Sequence, residues 1–311
     1  MFAGALLLSL STGFGTGFQA PTNTALSKCV GNAQATLVNF VVGLFVLAVL
    51  TAILGSGDVL GFVQQPAWQW MGGLYGAFFV IVVTYASPVL GIALTLTAIM
   101  LGQLACGMVV DTFGLLGATQ LPITPARAAG IGIVAMGVMA IYRGRVRGSQ
   151  AQNGAQPTSS PDEKRGRPAL MLCLSALAGV AIAVQAPTNA ALAAGIGSFE
   201  ASCVSFAGGA VAMLAYALIV NRGKLNSLAG VALWKLTGGL YGAFAVLFTA
   251  IVTPVLGVGL TMAATMLGQM TSGVIIDAAG LLQAKRIPLE KLRIAGIALI
   301  ALGIIVVCIG K

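Results

Sequence analysis

Long apolar runs separated by short polar segments follow one another along the whole chain. Ten of them are long enough to cross a ~30 Å hydrocarbon core as helices of about 20 residues. The polar segment 143–167 is rich in Gly, Ser, Gln and Arg and has no apolar period, so we predict a flexible linker between two helical domains, 1–142 and 168–311. The predicted spans lie near 2–27, 31–54, 68–87, 88–110, 126–142, 168–193, 198–220, 234–253, 254–276 and 292–310.

Composition assigns the chain to the integral membrane proteins. Hydrophobic residues make up 58% and charged residues 7%, and the mean hydropathy is +1.00, whereas about a quarter of the residues in soluble domains are charged. There is no histidine, the seven Asp and Glu are scattered, and the five cysteines show no metal-ligand spacing. No nucleophile–base pair or metal cluster is expected from this set, which argues against an enzyme, a metal site or a cofactor.

The chain contains an internal repeat. The pentapeptide QAPTN occurs at Gln19–Asn23 and again at Gln185–Asn189, an offset of 166 residues (185 − 19 = 166). The same offset, without a gap, relates the two copies of GGLYGAF, PVLG and MLGQ, which begin at Gly72 and Gly238, Pro88 and Pro254, and Met100 and Met266. The pattern predicts two copies of one five-helix unit, a plan that many transporters share.

An odd number of helices in each copy predicts that the two copies cross the membrane in opposite senses. We call the side on which the chain begins the N-terminal face and the side of segment 143–167 the linker face. All lysines and arginines except Arg127 and Lys311 then fall on the linker face. The positive-inside rule makes that face cytoplasmic and places both termini in the periplasm of a bacterial inner membrane.

The motifs together resemble one family. QAPTN closing the first helix, GGLYGAF opening the third, PVLG opening the fourth and MLGQ within it, repeated in both halves, are similar to the YdcZ-like branch of the drug/metabolite transporter superfamily. The resemblance covers nearly all of the chain except the linker. It implies an all-α integral membrane fold of ten transmembrane helices in two inverted five-helix repeats, and transport of a small molecule, but no particular substrate.

Polar side chains inside the apolar runs are candidates for substrate binding, because an unpartnered polar group in hydrocarbon is costly. Pro21, between the first two of them, is expected to disturb its helix, and broken helices line the sites of many transporters. The alternative for the amides is hydrogen bonding between helices, and for the tyrosines packing over glycines. The candidates are Gln19, Asn23, Gln103, Gln185, Asn189, Gln269, Tyr75 and Tyr241.

Three carboxylates are candidates for proton coupling or gating. Asp111 and Asp277 follow the fourth helix of each copy, and Glu200 lies in the first turn of a helix. Each Asp is followed sixteen residues later by an arginine, Arg127 or Arg293. An ion pair that holds the helix connection is therefore the alternative to coupling.

These features predict a multi-pass secondary transporter, an exporter, that moves a small metabolite or drug-like solute by alternating access between the repeats. Its expected partners are this solute and the lipid bilayer, with no nucleic acid, and a homodimer stays open. A passive channel is one alternative, although neither a ring of charges nor a filter loop is found. A non-transporting membrane partner subunit is the other.

Overall fold

The computed structural model describes residues 1–90, 92–153, 168–283, 286–287 and 289–310. Within them the ten predicted helices are confirmed, although PVLG and its copy lie at the ends of α3 and α8 and do not open the following helices. Nine of the ten are long and apolar enough to cross a membrane. The other, α1, is as long as α6 but carries more polar side chains, among them the buried Ser9 and Thr12. The helices are α1 (Phe2–Val30), α2 (Asn32–Leu54), α3 (Gly72–Leu90), α4 (Ile92–Phe113), α5 (Pro125–Asn153), α6 (Pro168–Ile196), α7 (Ser198–Val220), α8 (Gly238–Leu256), α9 (Val258–Ala279) and α10 (Lys291–Ile309).

Glycines with positive φ form the tightest corners between helices. Gly31, with φ 85°, is the single residue between α1 and α2, and Gly197, with φ 100°, is the single residue between α6 and α7. Residues with a side chain rarely adopt this backbone conformation. The two glycines are one repeat offset apart, so both copies turn at the same place.

The two repeats are inverted, as the contact between α5 and α10 shows. A methyl group on Gly130 would lie 2.7 Å from the carbonyl oxygen of Gly303, and one on Gly137 would lie 2.7 Å from that of Gly296. Residue numbers therefore fall along α10 as they rise along α5, so the two helices are antiparallel. Because α5 and α10 are the same helix of each copy, the copies have opposite orientations in the bundle.

Each repeat packs its first helix into the other repeat. In the first copy α1 lies against α8 and α9, and in the second copy α6 lies against α3 and α4. The second helices, α2 and α7, pack on each other. There the Phe40 ring covers Gly209 and the Phe206 ring covers Gly43. The hydrophobic core consequently lies between the repeats, with a pseudo-twofold axis through it.

Two sequence predictions about local structure are corrected. Helix α1 continues through Pro21 without a break, although the proline removes the amide that would bond the Gly17 carbonyl. The Thr22 hydroxyl donates to the neighbouring carbonyls of Phe18 (3.0 Å) and Gln19 (2.9 Å). Helix α6 also continues through Pro187. The prediction of broken helices at QAPTN is therefore wrong.

The second correction concerns the linker. Helix α5 extends to Asn153, so the first part of segment 143–167 is helical rather than flexible, and 154–167 lies outside the described residues. Tertiary contacts are formed at the start of this extension, where Gly144 packs against Arg293 of α10 and Arg145 lies 3.3 Å from an Asp277 carboxylate oxygen. A composition-based linker prediction cannot anticipate such contacts.

Candidate functional site

A cavity of about 190 Å³ lies at the interface of the two repeats. Eight helices, all except α5 and α10, contribute to its lining. None of the described residues that line it is charged. Its polar lining consists of Thr16, Gln19, Asn23, Thr36, Asn39, Gln103, Gln185, Ser205, Thr249, Thr265 and Gln269, and its larger apolar side chains are Phe40, Phe79, Phe206, Met262 and Met266.

The glutamines of QAPTN reach the cavity over glycines of the opposite repeat. Gln19 Nε2 lies 3.1 Å from where a methyl group on Gly242 would be, and Gln185 Nε2 lies 3.2 Å from the same position on Gly76. Each of these glycines directly follows the tyrosine of its GGLYGAF motif and leaves room for the amide. The repeated QAPTN of one copy therefore packs onto the repeated GGLYGAF of the other.

The glutamines of MLGQ reach the cavity because the residue before each of them is a glycine. Gly102 packs against the Ala176 carbonyl of α6, and Gly268 packs against the Leu10 carbonyl of α1. These close helix contacts bring Gln103 and Gln269 to the lining, together with Gln19 and Gln185. Four glutamines on α1, α4, α6 and α9 thus lie around one space.

The asparagines of QAPTN behave differently in the two copies. Asn23 lines the cavity, and its Oδ1 accepts a 2.7 Å hydrogen bond from Asn39 Nδ2 next to Gly238. Its counterpart Asn189 is fully buried against Gly72, beside Ser205, and does not line the cavity. The sequence prediction of equivalent roles therefore does not match the geometry in this conformation.

The cavity breaks the symmetry of the repeats in two further respects. Gln185 Nε2 donates a 2.8 Å hydrogen bond to the Gly72 carbonyl at the N-terminal face, whereas among the described residues Gln19 forms no such bond. Thr36 lines the cavity near the linker face, whereas its counterpart Ser202 is fully buried. At these paired positions, the residue toward the linker face lines the cavity and its counterpart toward the N-terminal face is buried.

Tyr75 and Tyr241 do not line the cavity. Tyr241 instead packs against Phe18, with ring centroids 6.0 Å apart, and lies next to Gly15. It directly precedes Gly242, and neighbouring residues of a helix point about 100° apart. The glycine faces the cavity, and the tyrosine consequently faces the flank of α1.

Asp111 is held in a structural network. It is fully buried, lies 3.0 Å from Arg127 NH2, and accepts hydrogen bonds from the backbone amides of Val258 (2.6 Å) and Gly259 (2.9 Å). Those amides belong to the first turn of α9, whose positive end favours a carboxylate. Asp111 thus joins the end of α4 to the start of α9 at the N-terminal face, away from the cavity.

Asp277 forms the equivalent pair at the linker face. Its carboxylate lies 2.6 Å from Arg293 NH2 and 3.3 Å from Arg145 NH2. It does not line the cavity either. Of the two roles that the sequence leaves open for these aspartates, the structure forms the ion pair.

Glu200 holds a loop of the other repeat. Its Oε1 accepts a 2.8 Å hydrogen bond from the Gly57 amide, in the connection that follows α2. Its counterpart Gln34 donates to the Asn226 carbonyl and accepts from the Asn226 amide, both at 2.7 Å. The two residues therefore fasten equivalent connections at opposite faces, and Glu200 does not line the cavity.

Helices α2 and α7 also line the cavity, a contribution that the repeated motifs do not predict. A polar residue recurs at helical spacing in both helices, at Asn32, Thr36 and Asn39 and again at Ser198, Ser202 and Ser205. This i, i+4, i+7 spacing marks one helix face and is the signal that would have identified Asn39 and Ser205. The aromatic residues that follow them, Phe40 and Phe206, carry no signal that separates them from core residues.

Two inverted five-helix repeats around an uncharged central cavity define a polytopic membrane protein with the architecture of a transporter. The chain belongs to the DMT_YdcZ family, described as "Putative inner membrane exporter, YdcZ", whose model matches residues 4–140 and 170–306. The family resemblance inferred from the motifs is thereby confirmed. No curated protein matches the sequence. A protein of known crystal structure is similar over 99% of this chain and 98% of its own, with a TM-score of 0.70 and 17% identity, which shows a shared fold.

Proposed function

We propose that the protein is a secondary carrier that exports a small organic solute by alternating access between its two repeats. The observation that carries this proposal is the broken symmetry of the cavity. The hydrogen bond from Gln185 to the Gly72 carbonyl exists at one face, and its symmetry equivalent, from Gln19 to the Gly238 carbonyl, is not formed among the described residues. If the bond from Gln185 to Gly72 broke and the bond from Gln19 to Gly238 formed, the cavity would open at the other face of the membrane. Equivalent contacts of the two repeats would then stabilise the two states.

The membrane orientation proposed from the charges fits an exporter. The linker face is cytoplasmic in that orientation, and Thr36, the residue of its pair toward that face, lines the cavity. The conformation would therefore load its solute from the cytoplasm. Release into the periplasm would require separation of α6 from α3, where Gln185 and Gly72 now meet.

The test uses the symmetric pair Thr36 and Ser202 as reporters of the two openings. In a variant without native cysteines, Thr36→Cys and Ser202→Cys are introduced singly and together, and labelling by a membrane-impermeant maleimide is followed by mass spectrometry. A carrier opens one face at a time. A bulky maleimide on Thr36→Cys should therefore hold the linker face open and protect Ser202→Cys in the same molecule.

The single Ser202→Cys variant is the matched control, because its labelling should be slow but measurable. A passive channel predicts independent labelling of both positions in the double variant. That result would contradict alternating access. Equal fast labelling of both single variants would instead contradict the prediction that position 202 is closed in the resting conformation.

A further inference from the structure

The cavity also indicates which solutes it accepts, and this inference rests on the proposed transport function. We propose that its substrates are uncharged, ring-sized molecules whose edge carries both a hydrogen-bond donor and an acceptor, such as aromatic carboxamides, cyclic ureides and nucleobases. Permanent organic cations and carboxylates are excluded.

The volume of the cavity suits a solute with a single ring. The cavity measures about 190 Å³, and an engineered protein cavity of about 150 Å³ holds one benzene molecule. A single substituted ring therefore fits without rearrangement. Phe79, Phe206 and Met262 are in the lining and offer apolar surface for the face of such a ring.

The lining of the cavity favours an uncharged solute. No described lining residue is charged, so a buried ion would have no counter-charge. Asp111 and Asp277 lie outside the lining and are engaged elsewhere, with Asp111 bound to Arg127 and the α9 amides, and Asp277 bound to two arginines. Arg127 and Arg293 do not line the cavity, so their guanidinium groups are not placed to meet an anion there.

The polar side chains of the lining offer both hydrogen-bond donors and acceptors to a solute. Each of the four glutamines has one carbonyl acceptor and an amide with two donor hydrogens, of which Gln185 already uses one for the Gly72 carbonyl. Asn39 Oδ1 and Ser205 Oγ, on side chains that are 5% and 1% exposed, have no hydrogen-bond partner in the described structure. Buried polar atoms nearly always have partners, so these two call for a ligand or water.

The threonines of the lining add acceptors. Thr16, Thr249 and Thr265 donate their hydroxyl hydrogens to carbonyls of their own helices, at 2.8, 2.7 and 2.8 Å. Their oxygens can still accept. A neutral solute with both donors and acceptors can satisfy this set, whereas a pure hydrocarbon would leave the amides unpaired.

The experiment compares three molecules of nearly equal size that differ in charge. Nicotinamide is neutral, 1-methylnicotinamide is a permanent cation, and nicotinate is an anion; uracil is a second neutral scaffold. Binding to purified full-length protein in nanodiscs is measured by calorimetry and by the rise in melting temperature. We expect nicotinamide or uracil to bind, and both ions to bind at least about tenfold more weakly, a factor that corresponds to about 1.4 kcal/mol.

A charge introduced into the cavity should reverse this order. At alkaline pH, Gln269→Glu should weaken nicotinamide binding by about 2- to 12-fold and allow 1-methylnicotinamide to bind. Gln64→Glu makes the same change on an exposed residue of the connection after α2 and should alter neither affinity. Circular dichroism and melting curves establish that both variants are folded.

The outcomes separate this inference from the transport function. Binding of an ion in preference to the neutral molecules, or no binding of either neutral scaffold, overturns the proposed substrate class. Neither result affects the maleimide-labelling test of alternating access. If nicotinamide or uracil binds but shows no saturable counterflow in preloaded proteoliposomes, the substrate class holds and the carrier function fails.

Discussion

Phe40 of α2 and Phe206 of α7 meet with ring centroids 5.3 Å apart, and they are the same residue of the two repeats (206 − 40 = 166). The pseudo-twofold axis therefore passes between their rings. Each ring also occupies the space left by a glycine on the opposite helix, Gly43 or Gly209. The pair thus joins the repeats beside the cavity that both rings line.

The first prediction concerns this glycine contact. A methyl group on Gly43 would collide with the Phe206 ring and approach the Gly239 carbonyl at 2.9 Å, so Gly43→Ala should lower the free energy of unfolding by about 1–3 kcal/mol. Gly132→Ala is the matched control, because a methyl group there meets nothing within 4 Å. Thermal melting of both variants in the same detergent is the measurement, and equal melting temperatures would contradict the close packing.

The second prediction distinguishes an ion pair from a coupling site at Asp111. Asp111→Asn leaves the buried Arg127 without its counter-charge and should destabilise the protein by about 3–5 kcal/mol. Replacing both partners, as in Asp111→Asn with Arg127→Met, should restore part of that loss, because the unpaired charge is removed while the Asn oxygen can still accept from the α9 amides. Melting temperature and transport are measured for all three proteins.

If Asp111 carried the coupling proton, the double variant would be folded and inactive. Retained transport in that variant supports the structural role.

The third prediction exchanges Glu200 and its counterpart. Glu200→Gln keeps an oxygen that can accept the hydrogen bond from the Gly57 amide, so stability and transport should change little. Gln34→Glu loses the donor that now reaches the Asn226 carbonyl and should cost about 1–3 kcal/mol of stability. Melting curves of the two variants test this asymmetry, and loss of transport in a stable Glu200→Gln would instead assign Glu200 to coupling.

The fourth prediction separates residues inside and outside the cavity. Gln19→Ala should weaken solute binding by about 0.5–1.5 kcal/mol through loss of one hydrogen bond, with little change in melting temperature. Tyr241→Phe serves as the control, since the tyrosine lies outside the lining, and it should leave affinity unchanged. Calorimetric titration gives the affinities. Unchanged affinity with a lower melting temperature in Gln19→Ala would assign this glutamine to packing.

The fifth prediction concerns orientation. A reporter fused after Lys311 should be active when it is alkaline phosphatase, which functions in the periplasm, and inactive when it is a cytoplasmic fluorescent protein. The reason is the concentration of Lys and Arg on the linker face. The opposite activity pattern would invert the assignment and make the described opening periplasmic. Fusions truncated after Arg147 provide the internal control, because they should give the reverse pattern.

The sequence predicts the architecture well because the repeat offset is exact over many motifs. Counting five helices in each copy is enough to predict inversion, and the antiparallel pairing of Gly130 with Gly303 bears it out. Local detail is less accessible. Pro21 predicts a helix break, yet α1 continues through it, and α5 continues past Arg145, which contacts Asp277, a residue far away in sequence.

The candidate site was predictable only in part. The four glutamines reach the cavity because small neighbours let helices approach there, and the sequence displays those glycines. The sequence could not distinguish Asn189 from Asn23, because both stand in the same QAPTN motif. In this conformation, however, Asn23 lines the cavity and Asn189 is buried. The sequence could not show that Tyr241 lies outside the cavity lining, because a motif identifies a helix segment but not which side of the helix faces the cavity.

Because α1 packs against α8 and α9 of the second repeat, it cannot reach its final packing before those helices have been synthesised. The packing of α1 must therefore form late, after α9 has entered the bilayer. Joining the halves in one chain turns what would be a meeting of two subunits into an intramolecular event, at an effective concentration on the order of millimolar. It also ties their evolutionary histories, since a larger side chain at Gly76 or Gly242 would have to be matched by a smaller one in the QAPTN of the other half.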